Sequence, residues 1–176
     1  MNDIVVRRAL RRELGNIEQI GIMAYEEFRT DVSPAVLNAY FADLRNLNYQ
    51  WDHAEVLVAE IDGELGGSVM YYADASTEGL GLPSDWAGFR KLAVAPRMRG
   101  KGIGHKLVEH CVGVARENSA FTIGIHTTSF MTSARRIYSK FGFKRCPSFD
   151  RKVSDILNID RNADDFDIIA CRLELM

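Results

Sequence analysis

The stretch that decides the fold runs from Leu92 to Val112 and reads LAVAPRMRGKGIGHKLVEHCV. It starts with a short apolar run closed by Pro96, continues into a turn that contains three glycines, and ends in apolar residues at helical spacing. This succession predicts a buried strand, a glycine-rich turn and an amphipathic helix that reaches about residue 118.

The glycine-rich turn predicts an anion-binding site. Gly100, Gly102 and Gly104 free the backbone to bring successive N–H groups to one point, and the next helix adds unpaired first-turn donors and the positive end of its dipole. Arg99 and Lys101 place formal charge beside these donors. Such a combination typically binds phosphate or pyrophosphate, and the alternative reading is a simple tight turn.

The spacing of the glycines excludes two nucleotide-binding motifs. The dinucleotide fingerprint needs G-x-G-x-x-G, whereas the glycines here run G-x-G-x-G. The Walker motif ends in Gly-Lys-Ser/Thr, whereas this turn is followed by His105, Lys106 and Leu107. The pattern that remains is R-x-x-G-x-G directly after a strand reading LAVAP.

Hydrophobic periodicity and turn residues predict the elements on either side of this stretch. The predicted strands are 4–8, 55–61, 64–72, 92–94, 121–125, 143–145 and 168–175, and the predicted helices are two within 16–48, one over 103–118 and one over 133–141. Residues 73–88 are predicted to be a long polar connection. The order β-α-α-β-β-β-α-β-α-β-β predicts an α/β (α+β) fold, with a mixed central sheet flanked by helices, as a single domain over residues 1–176.

Two motifs in register resemble those of one family. The stretch 92–112 resembles the acetyl-CoA-binding motif of the GNAT superfamily of N-acetyltransferases, and 134–143, ARRIYSKFGF, resembles its second signature, A-x-x-x-Y-x-x-x-G-F. The spacing between them and the order of the preceding elements also match, so the resemblance covers nearly the whole chain. It implies a GNAT-like fold, acetyl-CoA as cosubstrate, and transfer of an acetyl group to a primary amine by direct attack in a ternary complex.

The resemblance also implies residue roles. The backbone of Leu92 and Val94 would pair with the pantetheine arm, the turn from Arg99 to Gly104 would hold the pyrophosphate, and Tyr138 would protonate the departing thiolate as general acid. The implied cofactor-binding residues are Leu92, Val94, Arg99, Gly100, Lys101, Gly102, Ile103 and Gly104. One departure is Met131, which stands where many relatives carry an asparagine that contacts the cofactor.

The sequence offers several candidates for the general base. Many relatives carry a carboxylate on the strand before the LAV segment, but here that stretch reads Phe89-Arg90-Lys91, and alternation predicts that only one of the two basic side chains faces the pocket. The candidates are His126, whose imidazole titrates near neutrality, Asp85 in the preceding loop, and water.

The acceptor is a small-molecule or peptide amine whose identity stays open. Residues 73–89 contain three acids, Asp74, Glu78 and Asp85, and no Lys or Arg, so this loop either attracts a cationic amine or is an ordinary solvated loop. Four aromatic residues of the predicted helices either line the acceptor pocket or pack in the core. They are Tyr25, Phe28, Tyr40 and Phe41.

The net charge narrows the classes of partner that the protein is expected to bind. The 176 residues carry a net charge of −2, which gives no general electrostatic reason to expect nucleic-acid or membrane partners. The segment 90–106 nevertheless carries +6, so the rest of the chain carries −8, and the basic segment contains the predicted phosphate site.

Cysteine usage and hydropathy predict a cytoplasmic protein without a metal site. The three cysteines are widely spaced with no C-x-x-C pair, and no cluster of His, Cys and carboxylates has metal-ligand spacing. No apolar run approaches the length of a membrane span, and no signal peptide is predicted. The alternative function is a CoA-binding regulatory or interaction module with little or no turnover, and the resemblance leaves a homodimer open.

Overall fold

One mixed β-sheet organises the chain in the computed structural model, which describes residues 3–157, 159 and 165–175. The strands are β1 Ile4–Arg8, β2 Glu55–Ile61, β3 Glu64–Tyr72, β4 Ala87–Val94, β5 Thr122–Thr127, β6 Lys144–Arg145, β7 Arg151–Lys152 and β8 Asp167–Glu174. They are ordered β1-β2-β3-β4-β5-β8-β6, and β7 pairs with β8 at the side of this path. The pairing of β4 with β5 is parallel and the other described pairings are antiparallel.

Helices cover both faces of the sheet. They are α1 Leu14–Tyr25, α2 Pro34–Arg45, α3 Leu47–Gln50, α4 Ile103–Glu117, α5 Thr132–Phe141 and α6 Val153–Leu157. Alternation along β2 separates the faces: Val56 and Val58 pack with residues of α1 and α3, whereas Leu57 and Ala59 pack in the cluster that contains the apolar stripe of α4. The mixed α/β architecture predicted from the sequence is therefore confirmed.

Two small residues on β3 seat the start of α4. A Cβ atom at Gly66 would lie 2.5 Å from Ile103 Cδ1, and one at Gly67 would lie 2.7 Å from Ile103 Cγ2. Ile103 itself is 1% exposed. Close approach of the helix to the strand thus requires glycine at both positions, and it anchors the glycine-rich turn on the core.

The predicted element order differs from the structure in three places. Leu47, assigned from its spacing to the second helix, begins the separate α3, because α2 ends at Arg45 with Asn46 as its C-cap. The strand around 92–94 is longer and starts at Ala87. The acidic connection before the last strand contains the additional β7 and α6, and part of that connection, residues 158 and 160–164, lies outside the described residues.

The connection between β3 and β4 is not a solvated loop. It contains a 3-10 turn over Ala75–Glu78, in which Asp74 accepts a hydrogen bond from the Ser76 N–H at 2.9 Å. Five of its residues are buried: Ala75, Glu78, Leu80, Leu82 and Trp86. Hydrophobic side chains spaced among glycines and acids let this segment fold back over the sheet, which periodicity did not reveal.

The sheet opens between β4 and β5. Their parallel register consists of Ala87 with Ile123 and Gly88 with Gly124, and beyond that point β4 pairs only with β3 among the described strands. The remaining residues of β4 therefore present a free edge to a cleft. Among the described residues, no helix is long and apolar enough to cross a bilayer.

Candidate active site

A cavity of about 530 Å³ lies in the opening between β4 and β5. Its walls are β4 from Phe89 to Val94, the turn that precedes α4, and the first three turns of α5. Nine of the predicted site residues line it: Leu92, Val94, Arg99, Gly100, Gly102, Ile103, Gly104, His126 and Tyr138. The structure thus brings together residues that the sequence spreads over 47 positions.

The turn presents backbone donors to this cavity. Gly100 and Gly102 have φ of 78° and 91°, which an L-residue with a side chain adopts only with strain. The first hydrogen bond into α4 runs from the Lys106 N–H to the Gly102 carbonyl at 3.0 Å, so the N–H groups before Lys106 have no partner within the helix. A Cβ atom at Gly104 would lie 3.0 Å from Ile137 Cδ1, so glycine at this position leaves the space between α4 and α5 free.

Charged side chains near the turn are differently placed. The guanidinium of Arg99 lies in the cavity wall, where it donates to Glu27 Oε2 at 2.5 Å and to the Ala24 carbonyl at 3.1 Å. Lys101 is exposed, contacts Met98 Sδ at 3.4 Å and does not line the cavity. Of the two predicted basic contributors, only Arg99 is positioned to reach a bound anion.

The net charge of +6 over residues 90–106 does not create a free positive field. Five of its six basic side chains have acidic partners: Arg90 and Lys91 with Asp43, Arg97 with Glu64, Arg99 with Glu27, and Lys106 with Glu109. Within the described part of the chain, Lys101 is the one member without an ion pair. The anion site therefore depends on backbone donors more than on net charge.

Tyr138 enters the cavity from α5. Its ring packs against Phe89 and Phe143, with centroids 5.8 Å away in each case, and the residue is 7% exposed. Burial raises the pKa of Tyr138 well above its usual range. The phenol consequently stays protonated at all working pH values, as a proton donor must before the transfer.

A second cavity of about 350 Å³ adjoins the first on the side of α2 and α6. Both cavities are lined by Tyr25, Arg90, Lys91, His126 and Met131, so these five residues form the boundary between them. The cleft thus has two compartments that meet beside β4.

Three of the four aromatic candidates lie in these walls. Tyr25 lines both compartments, Phe28 lines the first and Tyr40 lines the second, whereas Phe41 packs in a core cluster with Leu37 and Leu44.

A β-bulge places two basic residues on the same side of the sheet. The register of β3 with β4 shifts between Ser68 and Met70, and Lys91 has φ of 55° at the extra residue. Strict alternation would send Arg90 and Lys91 to opposite faces, yet both reach the carboxylate of Asp43, at 3.9 Å and 3.1 Å. The expectation that only one faces the pocket is therefore wrong. Burial lowers the pKa of Lys91 to about 8 although Asp43 opposes this shift.

His126 has a polar neighbour at each ring nitrogen. Nε2 lies 2.9 Å from the Phe149 carbonyl, and Nδ1 lies 3.4 Å from Glu78 Oε1. Both side chains are almost completely buried, at 3% and 0% exposure. Asp85, the other candidate base, is exposed and lines neither cavity. The structure therefore places the sequence-predicted histidine in the cleft and the aspartate outside it.

Sequence reasoning missed two basic residues of the cleft. Arg136 and Lys140 line the first cavity from α5, where they are spaced by four residues and so share a helix face. That spacing was a readable signal beside Tyr138. Of the three acids that the sequence offered in residues 73–89, Glu78 is the one that lines the second cavity. Among the described residues, no group of three or more His, Cys, Asp or Glu side chains is arranged to hold a metal ion.

Comparison with known proteins agrees with the fold. The model of the acetyltransferase (GNAT) family matches residues 22–143. The chain therefore belongs to the GNAT acetyltransferase family.

One curated relative resembles part of the chain. Nα-acetyltransferase 40 of Saccharomyces cerevisiae is 34% identical over 85 residues, which are 44% of this chain and 30% of that protein. The chain thus spans less than a third of that relative's length.

Solved structures share the fold over nearly the whole chain. Ribosomal-protein-alanine N-acetyltransferase from Brucella melitensis has a TM-score of 0.70 at 23% identity, covering 97% of this chain and 99% of the other. PaiA N-acetyltransferase from Thermoplasma acidophilum, solved with coenzyme A, has a TM-score of 0.71 at 14% identity, covering 98% and 99%. A putative acetyltransferase from Salmonella typhimurium, solved with acetyl-CoA, has a TM-score of 0.66 at 18% identity, covering 99% and 95%. At these identities the likeness concerns the fold.

Proposed function

We propose that this protein is an acetyl-CoA-dependent N-acetyltransferase that transfers the acetyl group to a primary amine by direct attack in a ternary complex. The observation that carries the proposal is the two-compartment cleft, in which the cavity beside the glycine-rich turn meets a second cavity at the free edge of β4. A regulatory module that only binds CoA would need the first compartment alone.

The first compartment offers hydrogen-bond donors and cationic groups that fit CoA. The free backbone edge at Leu92 and Val94 can pair with an extended amide-bearing arm, and the N–H groups of the turn can hold a pyrophosphate. Arg99, Arg136 and Lys140 supply cationic groups in the same wall. Bound here, acetyl-CoA would supply the acetyl group as an activated thioester.

Tyr138 is the proposed general acid. Its hydroxyl belongs to a buried, protonated phenol in the wall of the compartment that would hold the thioester. Donating a proton to the leaving sulfur prevents release of a free thiolate. The three cysteines, Cys111, Cys146 and Cys171, line neither cavity, and burial raises the pKa of the Cys111 thiol, which supports direct attack over an acyl-cysteine route.

The acceptor proposed for first tests is the α-amine of a peptide. This choice is supported by two relatives whose names specify Nα-acetylation and acetylation of a ribosomal protein's alanine. An α-amine has a pKa near 8, about two units below that of a lysine side chain. A larger fraction of it is therefore already unprotonated, and able to attack, at neutral pH. Small-molecule amines belong in the same panel.

The cofactor proposal is tested by thermal unfolding with acetyl-CoA. At about 100 times its dissociation constant, the ligand should stabilise the protein by about 2.7 kcal/mol. Gly104→Val should lose most of this effect because its side chain would project between Ile137 and Val94. Gly113→Val is the matched control, since a Cβ atom at Gly113 of the same helix meets nothing within 4 Å.

A wild-type protein that acetyl-CoA fails to stabilise contradicts the proposal. Stabilisation without CoA release for any amine in the panel would favour the regulatory module instead.

A further inference from the structure

Glu78 is a buried acid for which the fold provides no hydrogen-bond donor. Its side chain has no exposed surface, and both carboxylate oxygens lack a hydrogen-bond partner among the described residues. Burying a carboxylate in this way is unfavourable unless a proton or a cationic ligand compensates for it. The residue lines the second cavity.

Local structure holds Glu78 at the opening of the sheet. The residue ends the 3-10 turn, Gly79 follows with φ of 88°, and Arg90 Nη1 donates to the Glu78 carbonyl at 2.6 Å. A Cβ atom at Gly88 would lie 3.5 Å from Glu78 Oε2 and 3.2 Å from the Gly124 carbonyl. Gly88, at the last paired position of β4, thus leaves space for the carboxylate where the strands separate.

The contact with His126 implies a shared proton. The Phe149 carbonyl can only accept a hydrogen bond, so Nε2 carries hydrogen. A neutral ring would then leave Nδ1 without hydrogen, 3.4 Å from Glu78 Oε1 and without a hydrogen-bond partner among the described residues, which is repulsive if the carboxylate is ionised. A further proton on the imidazole or on the acid would remove this repulsion, so the two groups are coupled.

Neighbouring groups also favour a donor-rich ligand. Gln50 Oε1, Thr127 Oγ1 and Thr128 Oγ1 are buried without hydrogen-bond partners, and all three residues line the second cavity. Gln50 already uses its amide nitrogen to donate to Asp43 at 3.2 Å, so its oxygen can only accept. A cavity with unpaired acceptors around a buried acid suits a ligand with several N–H donors and positive charge.

We propose that the Glu78 carboxylate binds the ammonium group of the acceptor and takes its proton, with His126 as the positioning residue. The inference rests on the proposed acetyltransferase function and names a residue that acts on the acceptor. With the shared proton on His126, one N–H bond of the ammonium breaks and an O–H bond forms at Glu78. The amine retains the lone pair that attacks the thioester, and the proton later leaves to solvent.

Binding of butylammonium to the protein, with and without saturating CoA, tests the proposal by calorimetry. Wild type binds this cation, and Glu78→Gln loses about tenfold or more in affinity because a charge-assisted hydrogen bond is removed. Asp85→Asn, the exposed acid of the same connection, is the matched control and retains wild-type affinity. Equal affinity of Glu78→Gln and wild type, or no binding to wild type, overturns the proposal.

Thermal unfolding of the free protein separates a ligand-binding acid from a structural one. Because the carboxylate is buried without donors, Glu78→Gln raises the midpoint by about 2–4 °C or leaves it unchanged. A lower midpoint together with unchanged butylammonium affinity identifies a structural ion pair with His126 and overturns the proposal. Stabilisation by acetyl-CoA, measured on the same variants, reports the cofactor site separately, so failure of the proposed function is distinguishable.

The role of His126 has its own readout in ¹⁵N spectra of the ring. Nε2 is protonated throughout, and butylammonium shifts the Nδ1 resonance in wild type but not in Glu78→Gln. A ring with unprotonated Nε2, or a shift that persists in the variant, contradicts the shared-proton pair.

Discussion

The two compartments of the cleft are built in different ways. The anion-binding part of the proposed cofactor compartment uses consecutive residues, from the free edge of β4 through the turn to the start of α4, and most of its donors belong to the backbone. The second cavity, which is the proposed acceptor compartment, is assembled from side chains of α2, α3, the β3–β4 connection, β4, β5 and α6. A contiguous backbone site is specified by local conformation, whereas a dispersed side-chain site exists only in the folded protein.

The compartments also differ in how their polar groups are satisfied. Around the turn, most charged side chains have partners, as Arg99 has in Glu27. In the proposed acceptor compartment, the carboxylate of Glu78, the Oε1 atom of Gln50 and the hydroxyls of two threonines are buried without hydrogen-bond partners among the described residues. Unsatisfied buried groups cost stability, so the acceptor compartment is where function and stability should conflict most.

The largest expected effect is that of Tyr138→Phe, in the wall of the first compartment. Loss of the general acid should lower kcat by about 10²–10⁴-fold, while the dissociation constant of acetyl-CoA changes by no more than about twofold. Steady-state kinetics and calorimetry measure the two quantities. Because burial raises the pKa of Tyr138, the pH–rate profile should have no basic limb from this residue below about pH 10.

Tyr49→Phe is the matched control, since Tyr49 is 69% exposed at the rim of the second cavity. A large loss of acetyl-CoA affinity with intact turnover would assign Tyr138 to binding instead.

Lys91→Met tests how the buried amine of Lys91, in the proposed acceptor compartment, affects the pH dependence of the free energy of unfolding. A lysine with a pKa of about 8 in the folded protein binds fewer protons there than in the unfolded chain, where the pKa is near 10.5. The free energy of unfolding therefore rises with pH between these values, by at most about 3 kcal/mol. The variant should lack this rise, measured by urea unfolding from pH 7 to 10.5.

Tyrosine ionisation opposes the rise above pH 10, because burial raises the pKa of Tyr25 and of Tyr72 to about 12. It affects both proteins alike, so their difference isolates Lys91. The exposed Lys101→Met provides the control, and a parallel pH dependence of Lys91→Met and wild type would refute the prediction.

Gly102→Ala tests the backbone character of the cofactor half. At φ of 91° an alanine is strained, so the free energy of unfolding should fall by about 1–2 kcal/mol. Gly113→Ala, within the same helix and in open space, should instead stabilise the protein by about 0.5–1 kcal/mol. Urea unfolding of both variants measures the contrast, and equal effects of the two substitutions would contradict it.

The smallest expected effect is that of Glu27→Gln, which frees Arg99 for a bound anion. An exposed ion pair is worth less than about 1 kcal/mol, so acetyl-CoA affinity should rise by about twofold to fivefold at low salt. High salt should reduce the difference between variant and wild type. Glu26→Gln is the neighbouring control, because Glu26 pairs with Arg29; a weaker affinity in Glu27→Gln would show that this acid supports the site.

Local signals predicted much of the fold. The Asp62-Gly63 turn set the β2–β3 hairpin, Ser33 caps α2 by accepting from the Val36 N–H, and Gly142 ends α5 with φ of 88°. These features succeed because neighbouring residues alone decide the conformation. The same patterns could not separate α3 from α2, since Leu47 continues the apolar spacing across the break.

Other features depended on distant partners. Alternation failed at Lys91 because a bulge opposite Val69 rotates the strand, and no residue within β4 marks that bulge. The net charge of residues 90–106 overstated the positive charge at the site, because acids distant in the sequence pair with its basic side chains. These acids are Asp43, Glu27 and Glu64.

By itself, the sequence determined the strand, turn and helix over 92–117 and predicted an anion site at their junction, because glycine conformations and helix N-termini are local properties. Only the tertiary structure decided that Glu78 and His126, 48 residues apart in the sequence, lie buried beside each other at the opening of the sheet. Whether an acid is solvated or buried depends on what the rest of the chain packs around it, and in this protein that packing converts an ordinary loop glutamate into the proposed acceptor-binding group.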